Sequence, residues 1–146
     1  MEVLYTSDWH SPANRSFKVN GGIWPIHCVA GEKGSALDRH FFADIIDVKN
    51  RPNEENIFHK GMDDIVEEYS AFHGINKKGI PLGTMVTDHV YVGGIASEYC
   101  VKETVFELLK VGHKVTLLVK GLGYVDYNGH LAAIDAMKKL GVEILE

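Results

Sequence analysis

The apolar positions of this chain change period along its length. Five short runs rich in β-branched and aromatic residues read as strands: EVLYT near the start, NIFHK around Ile57, HVYVGG from His89, KVTLLV from Lys114 and GVEIL near the end. Between the last three the period becomes helical. Val101, Thr104, Val105, Leu108 and Leu109 fall at i, i+3, i+4, i+7 and i+8, one stripe on a helix from about Glu98 to Lys110. A second amphipathic stretch runs from about Gly129 to Leu140. Gly112 and Gly141 follow these helices, where a left-handed C-terminal cap favours glycine. Strand, helix, strand, helix, strand predicts right-handed crossovers on a parallel sheet. Such sheets place ligand sites at the carboxyl ends of their strands.

That rule directs attention to the polar residues just beyond the strands. Cys100 falls after HVYVGG, in the first turn of the helix that follows, where unsatisfied N–H groups and the helix dipole favour a thiolate. The same position also suits a small buried hydrophobe, a common role of cysteine. SDWH places Asp8 and His10 two residues apart after the first strand, on one side of an extended backbone. IWPIHC adds His27 from a proline-containing loop. One carboxylate and two imidazoles make a three-ligand site for zinc, iron or manganese, with positions left for water or substrate. Lys60 ends the NIFHK run and precedes Gly61. It reads either as a solvated surface lysine or as a cation that lowers the pKa of a nearby thiol. His40, His59, His73, His89, His113 and His130 show no ligand spacing and read as structural.

Composition narrows the class. A chain of 146 residues suits one globular domain. A net charge of -5 and a pI near 5.9 point away from a nucleic-acid partner. The apolar runs fall far short of a membrane span, and the first residues lack a signal-peptide pattern, so no membrane partner is expected. Two cysteines, Cys28 and Cys100, make no disulfide framework, and the expected compartment is a reducing cytoplasm. Assembly as a homo-oligomer is left open.

Taken in order, SDWH, SFKVNGGIWPIHCVAG, FHKG, EYSAF and GGIASEYCVKET resemble the nicotinamidase/pyrazinamidase family of the isochorismatase-like cysteine hydrolases. The resemblance runs through essentially the whole chain. D-W-H with WPIHC is its most discriminating piece, and GGIASEYCV marks the wider superfamily. It implies a three-layer α/β fold on a parallel sheet, in a single domain over residues 1–146. It also implies metal-dependent hydrolysis of nicotinamide and pyrazinamide to the acid and ammonia, through a thioester on Cys100. Lys60 matches the catalytic lysine. Ala96 matches the residue whose N–H joins that of Cys100 in an oxyanion hole, and the Ile95–Ala96 bond matches one that is cis in the family. Asp8, His10 and His27 match the ligands of a divalent transition metal, zinc ahead of iron or manganese. Trp24 and Tyr69 match aromatic pocket walls, with core packing as the alternative, and Ile95 joins them against the substrate. A fourth ligand histidine of some relatives falls by length on Asn14 or Arg15.

One departure is larger. Family members open with a strand carrying D-x-Q-x-D-F, whose first Asp is the general base, and a helix before the match to EVLYT. The sequence begins on that later strand, so the expected fold lacks its first strand and helix, a segment of about 30 residues. Two expectations follow: a nicotinamidase, if its base is supplied, or a catalytically impaired nicotinamide- and metal-binding paralogue or truncated form. The stretch from Leu82 to Thr87 is also expected to hold a shorter helix than relatives have.

Overall fold

The computed structural model describes residues 2–146, which divide into two compact units. The first comprises the chain up to Glu68 with His73–Leu82, and the second Tyr69–Phe72 with Gly83–Glu146.

In the first unit β1 (Tyr5–Asp8) pairs in parallel with β2 (Ile57–Lys60), and the register sets Asp8 opposite Lys60. The strand starts later than the EVLYT run, because residues before Tyr5 find other partners. Val3 N–H donates to the Asn50 side chain at 3.1 Å, and only from Tyr5 onward does β2 supply the ladder. The intervening chain is mostly loop, with one short helix, α1 (Arg39–Ala43), whose N-cap Asp38 accepts the His40 N–H. Phe17 and Phe58 are fully buried and anchor this unit. The loop carrying His27 is stitched beside β1: His10 N–H donates to Cys28 O at 3.0 Å, and Ala30 N–H to His10 O at 2.8 Å. Cys28 takes a left-handed backbone there, with φ of 47°.

The second unit is a parallel sheet in the order β3 (His89–Gly94), β4 (Lys114–Leu122), β5 (Glu143–Leu145). Two helices, α2 (Lys102–Lys110) and α3 (Tyr127–Lys139), make the crossovers. Their apolar stripes meet the sheet. Val105 and Leu108 from α2, Val115 and Leu117 from β4, and Met137 from α3 are all nearly or fully buried in one cluster. Each such side chain contributes about 1.5–3 kcal/mol by leaving water. Both helices end as predicted. Gly112 and Gly141 have φ of 97° and 93°, and His113 and Val142 N–H groups reach back to Leu108 and Met137 carbonyls at 3.0 and 3.2 Å.

The start of the first crossover differs from the helix expected from Glu98. Residues Ser97–Val101 form a π turn, and α2 begins only at Lys102. Val101 N–H reaches Ala96 O at 3.1 Å, a five-residue span, while Ser97 N–H is held by Gly123 O at 2.9 Å. That tether to the loop after β4 widens the first turn. Leu82–Thr84 is a single 3-10 turn, short as expected. The parallel α/β class is as predicted, and among the described residues no helix is long and apolar enough to cross a membrane.

Candidate metal centre and thiol turn

Asp8, His10 and His27 converge at the carboxyl end of β1. Asp8 Oδ2 lies 3.5 Å from His10 Nε2 and 3.9 Å from His27 Nε2. One ligand atom from each residue fits within 4.8 Å of the others. Both rings are oriented from behind: His10 Nδ1 is 2.7 Å from Gly61 O, and His27 Nδ1 is 2.8 Å from Pro25 O. A carbonyl can only accept, so each Nδ1 carries a proton and donates. This leaves the Nε2 side of each ring toward Asp8, as in histidines that bind metals. The alternation of a strand end places Asp8 and His10 together, and the stitched loop delivers His27.

Electrostatics favour the ionised carboxylate. Burial pushes the Asp8 pKa up, but the His10 hydrogen bond and the Lys60 charge outweigh it and hold it at about 2. Burial pushes His10 down, yet its bonds to Asp8 and the Gly61 carbonyl leave its pKa raised. The second oxygen, Asp8 Oδ1, is buried and faces Lys60 Nζ at 2.5 Å, a charge contact outside hydrogen-bond geometry. Lys60 is 4% exposed and also donates to Glu68 O at 3.1 Å, so it is not the solvated lysine of the simpler reading. An ionised carboxylate and two imidazoles with oriented Nε2 atoms fit a divalent transition ion such as zinc, iron or manganese.

Three supporting residues carry no ligand signal in the sequence. Asn14 is buried behind His10, and its amide donates to Asp63 O at 3.2 Å while its oxygen accepts Ser16 N–H at 3.0 Å. Asn14 Nδ2 lies on the Nδ1 side of His10, at 3.3 Å, and donates to the same Gly61 carbonyl that holds the ring, also at 3.3 Å. Gly61 has φ of 67°, and a Cβ there would overlap the His10 ring. The glycine in FHKG is visible in the sequence, and Asn14 only as one of two positions in a length match. Glu68 accepts the Gly61 N–H at 2.9 Å and so closes the end of β2. Trp24 stands 6.3 Å from His27 in an edge arrangement, and Phe17 packs edge-on to both imidazoles.

Tyr69, Ile95, Ala96 and Cys100 belong to the second unit. Cys100 is half-buried in the π turn, where its carbonyl accepts Thr104 Oγ1–H at 2.7 Å. The Ile95–Ala96 bond is cis. The Ala96 carbonyl accepts both Tyr99 and Val101 N–H groups at 3.1 Å, which fixes the backbone on either side of the thiol. Ile95 is largely exposed and lies against Gly123, where a Cβ would collide with it. The Tyr69 ring sits 5.5 Å from that of Tyr99.

A parallel α/β protein with a metal-type ligand set at a strand's carboxyl end, and a cysteine in the turn after another strand, defines the class. Residues 1–146 match the Isochorismatase domain, and the chain belongs to that family. It is 31% identical to the nicotinamidase of Escherichia coli over 140 residues, covering 82% of this chain and 62% of that protein. The chain thus spans less than two thirds of that relative's length. Among solved structures, the pyrazinamidase of Pyrococcus horikoshii in complex with zinc has a TM-score of 0.79 and 32% identity, over 99% of this chain and 75% of that one. PnC1 from L. infantum in complex with nicotinate has a TM-score of 0.80 and 30% identity, over 99% and 71% of the two chains.

Proposed function

We propose that this chain is an amide hydrolase of the nicotinamidase type, converting nicotinamide and pyrazinamide to the corresponding acid and ammonia. The observation that carries this reading is the convergence of Asp8, His10 and His27, with each ring's Nδ1 committed to a carbonyl. The nicotinamidase relative, the zinc-bound pyrazinamidase and the nicotinate-bound PnC1 support this substrate class. Cys100 Sγ attacks the carboxamide carbon, the nitrogen leaves with a proton as ammonia, and water cleaves the thioester to the carboxylate. The Ala96 and Cys100 N–H groups stabilise the oxyanion, a contribution of about 2.7–4 kcal/mol for such a donor. Lys60 keeps Asp8 ionised through their contact and, by resemblance, supports the thiolate. Asp8, His10 and His27 would hold the metal, most simply zinc, which supplies a Lewis-acid anchor for the heterocycle. Trp24, Tyr69 and Ile95 would line the substrate. Two half-buried cysteines suit a reducing cytoplasm.

The test is ammonia release from nicotinamide by the purified chain, after chelation and after return of zinc, iron or manganese. Turnover that chelation abolishes and metal restores is expected, with loss of both turnover and bound metal in His10→Ala. Equal metal content in wild type and His10→Ala would overturn the site. A Cys100→Ala variant that still turns over would overturn the nucleophile.

A further inference from the structure

Beside the thiol lies a buried polar network that the proposed chemistry does not use. Ser97 is 0% exposed, and Glu98 and His130 are 8% exposed. Ser97 Oγ donates to Glu98 Oε2 at 3.2 Å and lies 2.7 Å from His130 Nδ1. The hydroxyl's single proton goes to Glu98, so its oxygen accepts and His130 Nδ1–H is the donor. Glu98 Oε1 accepts the N–H groups of Val125 and Asp126, both at 2.7 Å. Asp126 caps α3 by accepting Gly129 N–H at 2.7 Å, and its carbonyl accepts His130 N–H at 2.9 Å. The bonds close a ring from the π turn through Glu98, the loop before α3 and His130, and back to Ser97. Tyr124 lies against the imidazole, with centroids 4.8 Å apart.

Two other roles fail on geometry. Ser97 cannot act as a nucleophile from full burial, and Glu98 cannot swing as a base while two backbone N–H groups hold one oxygen. A positioning role remains. A π turn holds one more residue than an α turn, and relaxing it would rotate the side chains beyond it by about 100°. We propose that Ser97, Glu98 and His130 are positioning residues that lock the Ala96–Cys100 turn in the shape that presents the Cys100 thiol. This rests on the reading of Cys100 as nucleophile.

The test compares His130→Asn, whose amide N–H can replace Nδ1–H, with His130→Gln and His130→Ala, and Ser97→Thr with Ser97→Ala. Iodoacetamide labelling of Cys100 is followed by peptide mapping across the pH range, with Cys28 as internal reference. Loss of the Nδ1 bond in His130→Gln and His130→Ala, or of the hydroxyl in Ser97→Ala, should slow Cys100 labelling about tenfold and displace its pH profile. Labelling of Cys28 should hold. Asn and Thr should restore the rate to within about twofold of wild type. Where the chain turns over, the same variants should lower kcat with little change in KM. Wild-type labelling in the Gln and Ala variants, or Asn and Thr variants as slow as these, would overturn the proposal. Should an Ala variant fail to fold, the Asn–Gln pair decides alone. A wild-type chain that does not hydrolyse nicotinamide would remove the proposed activity but leave the labelling comparison intact.

Discussion

Asp8 divides its two oxygens between two tasks, one facing the imidazoles and the other Lys60. In Asp8→Asn the 4%-exposed Lys60 loses its counter-charge. Breaking such a buried pair costs about 3–5 kcal/mol. Urea unfolding of the metal-stripped proteins near neutral pH should show a loss of that order. The pH dependence has a definite sign. The folded pKa of about 2 lies below the ordinary 3.8, so this stability is present above the ordinary value and is lost as pH falls toward the folded one. The gap between wild type and Asp8→Asn should therefore narrow in acid, and a gap that widened there would contradict the assignment. Glu98 follows the same rule for a different reason. Burial raises its pKa, but N–H groups of Asp126, its own backbone and Val125, with the Ser97 hydroxyl, leave it lowered. Glu98→Gln should cost about 1–3 kcal/mol at neutral pH. The difference should shrink as pH falls below the ordinary 4.5 and through the folded value. Denaturation midpoints at neutral and acid pH measure this.

At the scale of elements, a position in a helix's buried stripe and one at a helix's exposed end carry different loads. Leu108 is 1% exposed against β4 and α3, whereas Leu140, at the end of α3, is 59% exposed. Leu108→Ala should cost about 2–5 kcal/mol, by lost transfer energy and the cavity left behind. Leu140→Ala should change stability by no more than about 0.5 kcal/mol. Denaturant titration of both variants checks the contrast, and equal losses would show that the stripe is misassigned. Helix α2 begins only after the π turn, so the element that carries Cys100 is held from two sides, by the Ser97 tether to Gly123 before α3 and by the bonds of Lys102 and Thr104 at the start of α2.

For the whole molecule, the ligand set lies within the first unit and the thiol within the second. Metal binding to the folded chain should raise its stability by about 2.7 kcal/mol at a hundred-fold excess over Kd. Hydrogen exchange should slow most around Asp8, His27 and Lys60, and that protection should vanish in His27→Ala. Protection confined to α2 and α3 would place the ion elsewhere. The sequence by itself determined what depends on local periodicity. The five strands, the α2 and α3 stripes and the Gly112 and Gly141 caps follow from period and punctuation, and Asp8 and His10 share a side because a strand alternates. Convergence of His27 was legible only as a ligand type, since a loop has no period to fix its direction. Tertiary structure alone decided the partners. Lys60 meets Asp8 because parallel register sets them opposite, Asn14 and Gly61 brace His10, and His130 reaches Ser97 from 33 residues away. Periodicity records which face of an element is buried. Which distant residue meets that face is set by register and loop closure, and these exist only in the folded chain.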